Sequence, residues 1–321
     1  MLRYLIQRII AFVPTLVGVS VLVFFAIRLI PGDQITATLG TEAGMLTPAQ
    51  RASLERYYGL DKPPVEQYFV WLGEAVQGNL GHSIRHGKPV LELILDRFPL
   101  TLELALMSVI IALLVGVPFG ILSAVHHNSI IDLLGRLFSL IGLAVPNFLL
   151  GTIIIYVLSV YFGVLPNSGN YVSLAQDPLK NIQQLFFPAV TLGFAFAASV
   201  MRMTRSSMLE VLGEDYVRTA RSKGLSENRV ITRHALRNAL IPVVTLIGVQ
   251  MGYLLGGAFI VEQIFALPGI GRLAVNAISQ REYALVQGVT LFIALNFVVI
   301  NLMIDLTYAA IDPRISYNRH A

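Results

Sequence analysis

The stretch TLELALMSVIIALLVGVPFGILSAV, from Thr101 to Val125, decides the fold class of this chain. It contains a single charged residue, Glu103, and as a helix it is long enough to cross the roughly 30 Å hydrocarbon layer of a bilayer. A strand of a membrane barrel would instead alternate apolar and polar side chains over about ten residues. The stretch therefore predicts a transmembrane helix.

The same apolar pattern recurs on both sides of this stretch. The chain is 55% hydrophobic and only 13% charged, with a mean hydropathy of +0.70, and these values are far from those of soluble domains. We therefore predict an all-α polytopic membrane protein with six transmembrane helices. The other five runs are Ile9–Ile27, Leu137–Phe162, Leu185–Met201, Ala239–Val261 and Leu285–Ala310.

The domain organisation follows from these runs. Residues 1–30 hold an N-terminal segment and the first span, and residues 31–99 form a long helical loop on the outer side of the membrane. Residues 100–321 form a core with five spans, including a polar loop over residues 202–238. Lys and Arg concentrate in the short connections and at both chain ends, which predicts that both termini are cytoplasmic. The chain has no cysteine, which excludes disulfides.

The polar segment between Met201 and Pro242 holds eight of the 23 Lys and Arg residues. Gly213 interrupts the helix that leaves the membrane, Asp215 follows in a new first turn, and Gly224 stands just past a basic last turn. Acids at the start, bases at the end and a terminal Gly predict a short helix. Ser226 predicts the start of a second helix that leads back to the membrane.

This short helix presents a small apolar face made by Tyr216, Val217 and Ala220. Such a face is suited to docking in a groove of a partner protein. Two alternatives are a basic helix lying on anionic lipid headgroups and a DNA-binding helix. The second is disfavoured because both ends of the segment are tied into a bilayer, so no nucleic acid partner is expected.

The sequences EDYVRTARSKGL, from Glu214, and HALRNALIPVV, from His234, are similar to the cytoplasmic loop of permease subunits of binding-protein-dependent ABC importers. The form of the loop, with its acids at Glu214 and Asp215, resembles the dipeptide and oligopeptide branch. Four further motifs of that branch are IPGD at 30–33, YGLDKP at 58–63, GNLGHS at 78–83 and LPGIGRL at 267–273.

The resemblance implies a type I importer permease fold in the bacterial inner membrane and the import of peptides as the function. Glutathione, nickel or another small solute remains open as the cargo. The implied partners are a second homologous permease, one or two ATPase subunits, an extracytoplasmic solute-binding protein and the lipid bilayer. This chain would bind no cofactor, because ATP and Mg would be used by the ATPase subunits, and it would not be an enzyme. The segment Gly81–Pro89 is not a phosphate loop, because its second Gly comes one residue late and Pro89 stands where such a loop needs Ser or Thr.

The resemblance also implies that the short helix couples the membrane spans to an ATPase. Ala220 would permit close approach to that partner, and Gly224 would adopt the left-handed turn that reverses the chain. The implied coupling residues are Glu214, Asp215, Tyr216, Val217, Arg218, Thr219, Ala220, Arg221 and Gly224.

Within the spans, Asn147, Gln250, Gly252 and Gly256 are candidates for lining the transport pathway. For the glycines, the alternative is close helix packing. Pro146 either bends the helix and leaves a backbone carbonyl free near the pathway, or that carbonyl is hydrogen-bonded by a neighbour, and both possibilities stay open. Glu103 and Asp305 lie near span ends where they reach interface water, and this scarcity of buried ionisable groups disfavours an ion-coupled carrier. His82 and His86 are taken as surface loop residues, so no metal site is predicted.

Overall fold

A computed structural model of the chain describes residues 2–29, 34–57, 59–166 and 171–311. These residues are mostly helical, which confirms the predicted all-α class. The helices are α1 (Leu2–Arg28), α2 (Gln34–Leu39), a 3₁₀ segment (Gly40–Met45), α3 (Pro48–Tyr57), α4 (Pro64–Val76), α5 (Val90–Val125), α6 (Ile130–Ala144), α7 (Asn147–Phe162), α8 (Pro178–Leu212), α9 (Asp215–Ser222), α10 (Glu227–Arg229), a π-helical segment (Val230–Ala235), α11 (Leu236–Ala239), α12 (Ile241–Gly257), α13 (Phe259–Ile264), α14 (Ile270–Ser279) and α15 (Tyr283–Ile311). The strands β1 (His82–Ser83) and β2 (Lys88–Pro89) form a small antiparallel hairpin.

Four helices are individually long and apolar enough to cross a membrane, namely those at Ile10–Arg28, Val90–Val125, Pro178–Leu212 and Tyr283–Ile304. Two bent pairs raise the number of candidate spans among the described residues to six. The pairs are Ile130–Ala144 with Asn147–Phe162, bent by 98°, and Glu227–Ala239 with Ile241–Leu255, bent by 47°. Each of the six predicted apolar runs lies on one of these spans.

The run Leu137–Phe162, predicted as one span with a kink at Pro146 left open, is divided into two helices at that proline. Helix α6 ends at Ala144, Val145 and Pro146 are extended, and α7 begins at Asn147. Proline has no amide hydrogen to donate and pushes the preceding residue out of the helical region, so Pro146 ends the helix instead of bending it gently. The helix of the fourth span begins before the predicted apolar run, at Pro178, and it continues past Met201 to Leu212, as the predicted break at Gly213 requires.

The chain divides into two compact units, residues 1–99 with 268–302 and residues 100–267 with 303–321. In the first unit, Val90 and Ile94 at the start of α5 pack with Ile270 and Leu273 of α14 and with Val289 of α15. The hairpin is fixed by Ser83, whose hydroxyl donates to the buried carboxylate of Glu282 at 2.6 Å. An aromatic cluster made by Phe24, Phe25, Tyr68 and Trp71 joins α1 to α4.

In the second unit, α5 and α8 approach each other closely because small residues face the contact. A side-chain carbon placed on Gly116 would lie 2.7 Å from the Ala197 carbonyl oxygen, and one on Gly120 would lie 2.8 Å from that of Met201. Such distances leave no space for any residue larger than glycine. Helix α8 also contacts α6, α7 and α12, so it is the central element of this unit, and its far end leads to the polar segment.

Candidate functional site

The short helix α9 stands directly after the end of α8. Helix α8 ends at Leu212, Gly213 caps it, and Glu214 takes an extended conformation before α9 runs from Asp215 to Ser222. Gly224 has a φ of +77°, in the left-handed region that favours glycine. The predicted bounds of the short helix, and the turn at Gly224, are thus confirmed. Its assignment as a coupling helix stays a prediction.

The apolar face of α9 points into the chain itself. Val217 is 0% exposed and Ala220 is 6% exposed, and both pack against the buried Val230 of the returning segment. The expectation that Val217 and Ala220 contact a partner protein is therefore wrong. Packing Val217 and Ala220 against Val230 removes their apolar area from water. This contact lies within the chain and therefore needs no second protein. The exposed positions of α9 are Asp215, Tyr216, Arg218, Thr219, Arg221 and Ser222.

Arg221 fastens the turn that follows α9. Its guanidinium makes two parallel hydrogen bonds to the carboxylate of Glu227, at 3.1 and 2.7 Å, and a third weaker contact to the carbonyl of Leu212 at 3.4 Å. The hydrogen bonds to Glu227 raise the pKa of Arg221 above its ordinary value. The paired geometry is the favourable one for arginine and a carboxylate, and it holds the end of α9 near the start of α10.

Tyr216 is half-exposed yet anchored. Its hydroxyl accepts a hydrogen bond from the Asn238 side chain at 2.7 Å and donates a longer one to the carbonyl of His234 at 3.4 Å. His234 belongs to the π-helical segment Val230–Ala235, and Asn238 follows in α11. Isolated π-helical turns often occur at functional positions. The ring of Tyr216 thus ties α9 to the stretch that re-enters the membrane.

The buried face of α9 is continuous with the membrane helices. Val211 and Leu212, at the end of α8, contact the cluster around Val217 and also a second cluster with Met208 and Ala124. Ala124 lies in α5 and Met208 in α8, so a displacement of α9 meets packed side chains of two long helices. Close-packed interiors transmit such displacements because they contain few voids.

A buried ion pair joins three further helix ends in the same unit. The carboxylate of Asp132 in α6 is 0% exposed and accepts hydrogen bonds from Arg205 of α8 at 2.6 and 2.9 Å. It also accepts from the Ser123 hydroxyl of α5 at 2.6 Å and from the Asn128 amide at 3.1 Å. The buried carboxylate thus accepts four hydrogen bonds, which compensate for its removal from water. Sequence analysis overlooked Asp132, although a lone acid in an apolar helix, three residues after the cap Ser129, was a usable signal.

The predicted pathway residues lie in two different helices. Asn147 is half-buried in the first turn of α7, while Gln250 is half-buried and Gly252 is buried in α12. Gly256 is in the last turn of α12, and its surroundings lie outside the described residues. A side-chain carbon on the nearby Gly248 would lie 2.3 Å from Ile304, so close packing accounts for that glycine. Their role in a pathway stays a prediction.

Two carboxylates near span ends are held by protein groups. Glu103, expected to reach interface water, is half-buried, and one oxygen of its carboxylate accepts hydrogen bonds from Tyr171 at 2.7 Å and Asn181 at 2.8 Å; its contact with water stays a prediction. Glu262 in α13 was overlooked; it is 0% exposed and accepts from the Thr101 hydroxyl at 2.7 Å. The side chain of Asp305 lies outside the described part of the structure, and so does the IPGD motif at residues 30–33.

Two family models together match nearly the whole chain. Residues 116–317 match the binding-protein-dependent transport system inner membrane component, and residues 1–105 match the N-terminal part of the same kind of component. The chain belongs to this family. This permease is therefore an integral protein of the inner membrane, and its family consists of transport components and not of enzymes.

Curated relatives match the permease over its full length. It is 44% identical to the oligopeptide transport system permease protein AppB of Bacillus subtilis, over 99% of this chain and 100% of that protein. It is 43% identical to the glutathione transport system permease protein GsiC of Escherichia coli, over 99% and 100%. It is 42% identical to a putative peptide permease of Brucella suis, over 98% and 99%.

Among solved structures, the MetNI methionine ABC transporter in an inward-facing conformation contains a chain with the same fold. The TM-score is 0.52 at 16% sequence identity, over 68% of the permease and 96% of that chain. At this identity the likeness shows the fold alone, which is that of a type I ABC importer permease.

Proposed function

We propose that this permease forms half of the pathway through which an ATP-driven importer passes di- or oligopeptides from a solute-binding protein into the cytoplasm. The observation that carries the proposal is the helix α9, which presents a polar exposed face and is packed through Val211 and Leu212 onto α5 and α8. A helix that projects from the spans but stays rigidly joined to them is suited to receiving force from another subunit.

The proposal includes partners that this chain requires for transport. A second homologous permease supplies the other half of the pathway, and one or two ATPase subunits hydrolyse ATP with Mg on the side where α9 lies. Both chain ends are on that cytoplasmic side. The exposed residues Asp215, Arg218 and Thr219 contact the ATPase, while Val217 and Ala220 pass its movement inward.

The test is reconstitution of the complete importer in proteoliposomes, with uptake of a labelled peptide measured together with ATP hydrolysis. Arg218→Glu reverses a charge on the exposed face of α9 and is expected to lower ATPase copurification and uptake together. Arg229→Glu, another exposed arginine just beyond the turn, is the matched control. Equal losses in both variants, or full uptake with Arg218→Glu, would contradict the role of α9.

Glutathione is the second candidate cargo, because the identity to the glutathione permease of Escherichia coli, 43%, nearly equals that to the oligopeptide permease, 44%. Competition decides between them: unlabelled glutathione in excess displaces a labelled tripeptide only if the importer takes glutathione. The ligand that copurifies with the solute-binding protein gives an independent answer.

A further inference from the structure

We propose that the first unit of the permease binds an anionic phospholipid, with the headgroup in a basic cavity beside Arg28 and an acyl chain in an adjoining apolar groove. The cavity has a volume of about 290 Å³ and the groove about 490 Å³. Both are close to the range of small-molecule sites. The two spaces share Leu80 as a common wall.

The cavity is arranged to receive a negative charge. Among the described residues that line it, Arg28, Arg56 and Lys62 are basic and Glu74 is acidic, and Glu74 already accepts a hydrogen bond from Asn79 at 3.0 Å. Lys62 also pairs with Glu66 at 2.9 Å, so these three cations against two carboxylates leave one positive charge in excess. The phosphate of a lipid headgroup carries the complementary negative charge.

Arg28 is held in place without a carboxylate. Among the described residues its guanidinium donates to the neutral oxygens of Gln67, at 3.3 and 3.1 Å, and of Phe24, at 3.0 Å. The same group lies 3.4 Å from the centre of the Phe24 ring. Its side chain is thus pre-oriented while its charge is left without an anionic partner, which favours an added anion.

Gln287 supplies an independent indication of a ligand. It lines the cavity, it is 5% exposed, and its amide nitrogen Nε2 has no hydrogen-bond partner among the described residues. A buried donor without a partner costs about 1–3 kcal/mol, so such groups normally meet a bound molecule or water. An oxygen of a phosphate group in the cavity would satisfy it.

The apolar groove lies along the same helices, deeper in the membrane. On α1 the cavity is lined by Arg28 and the groove by Ser20 and residues before it, which places them about 12 Å apart along the axis. On α15 the groove begins at Leu291, about 6 Å beyond Gln287, and extends to Leu295, about 12 Å beyond it. A ligand filling both spaces must be charged at one end and apolar along a length of this order. Membrane phospholipids have this shape.

The depth of the cavity also agrees with a headgroup position. Trp71 lines the cavity and belongs to the aromatic cluster with Phe24 and Tyr68. Trp and Tyr concentrate where the hydrocarbon meets the headgroup layer. Arg28, the last residue of α1, therefore lies where lipid phosphates are found.

The test measures lipid bound to the intact chain, purified together with its partner permease in mild detergent, by native mass spectrometry. The probes are phosphatidylglycerol, zwitterionic phosphatidylcholine and glycerol phosphate, which has the anion but no tail. Wild type is expected to bind phosphatidylglycerol in preference to phosphatidylcholine. Arg28→Gln and Lys62→Gln are each expected to weaken that binding about fivefold.

Two matched controls belong to this test. Lys88 resembles Lys62 closely, since each pairs with a glutamate four residues on and their side chains are 48% and 45% exposed. Lys88→Gln should therefore leave lipid binding unchanged. Ala75→Trp fills the groove and should abolish acyl-chain binding, whereas Val65→Trp, on the exposed side of the same helix α4, should not.

Several results would overturn the proposal. Equal binding of the two phospholipids would exclude a headgroup charge site, and equal effects of Lys62→Gln and Lys88→Gln would exclude this cavity. Competition by glycerol phosphate with no effect of Ala75→Trp would indicate a free anion as the ligand. If Ala75→Trp separated the chain from its partner permease and left lipid binding intact, the groove would be a subunit interface.

Discussion

Replacing Asp132 by Asn should destabilise the second unit by removing the charge from the buried ion pair with Arg205. Removing one partner of a fully buried pair costs about 3–5 kcal/mol, because the other charge is left without compensation. The Arg205 side chain is 20% exposed and reaches some solvent, which reduces the expected loss to about 2–4 kcal/mol. The amide of Asn keeps the shape of the carboxylate and can still accept from Ser123, so the effect measures charge and not volume.

The assay is a double-mutant cycle on the free energy of unfolding, with the purified chain unfolded by SDS in mixed micelles and followed by circular dichroism. Asp132→Asn, Arg205→Gln and the double variant should give a coupling energy of about 1–3 kcal/mol. Arg136→Gln is the control, since Arg136 lies 3.8 Å from Asp132, is 52% exposed and should cost less than about 1 kcal/mol. Additive effects of Asp132→Asn and Arg205→Gln, or a loss with Arg136→Gln as large as with Arg205→Gln, would refute the reasoning.

Three further predictions use the same unfolding measurement. Val217→Ala should cost about 2 kcal/mol because it removes two buried methyl groups, whereas Thr219→Ala on the exposed side of α9 should change little. Gly224→Ala should cost about 1–2 kcal/mol through backbone strain alone, since no atom of the described residues lies within 4 Å of the added carbon, and Gly224→Asn should cost less. Gly120→Ala should cost about 1–3 kcal/mol, because its carbon would lie 2.6 Å from Thr204; Gly73→Ala, with open space around it, should be neutral or stabilising. In each pair the second variant is the control. A control that lowers the free energy of unfolding more than its partner variant would contradict the reasoning for that pair.

The bounds of α9 were predictable because they depend on neighbouring residues in the sequence. Gly213 and Gly224 interrupt the helical pattern, and the acids and bases between them complement the dipole of a short helix. These rules act within one or two turns and need no tertiary information. The long spans were predictable for a similar reason, since a continuous apolar run has few alternatives in a membrane protein.

The direction in which α9 points was not predictable from the same pattern. Tyr216, Val217 and Ala220 share a face in any helix of this sequence. That face can pack equally well against a partner protein or against another segment of the same chain. Val230, thirteen positions after Val217, decides the matter by packing against it. A pattern that spans eight residues carries no information about a contact made after the chain has turned back.

The buried ion pair shows the same limit over a longer separation. Asp132 and Arg205 are 73 residues apart, and each looks like an ordinary end-of-helix charge in its own segment. Gly135 and Gly142 of α6, which let α8 approach, are what bring them together, since a side-chain carbon on Gly142 would lie 2.6 Å from Ala198. Pairing of this kind depends on helix packing, which one sequence without relatives does not specify.

The arrangement of α9 separates recognition of a partner from transmission of its movement. The exposed side offers Asp215 and Arg218, 3.4 Å apart and 93% and 74% exposed, whose mutual attraction is weak in water and which are free to exchange partners. The buried side offers Val217, packed without exposure onto the end of α8. If α9 receives force from an ATPase, substitutions on the exposed side should alter affinity for that subunit while the chain keeps its stability. Substitutions at Val217 should instead leave the docking surface unchanged and loosen the connection behind it, so that ATP hydrolysis continues while transport declines.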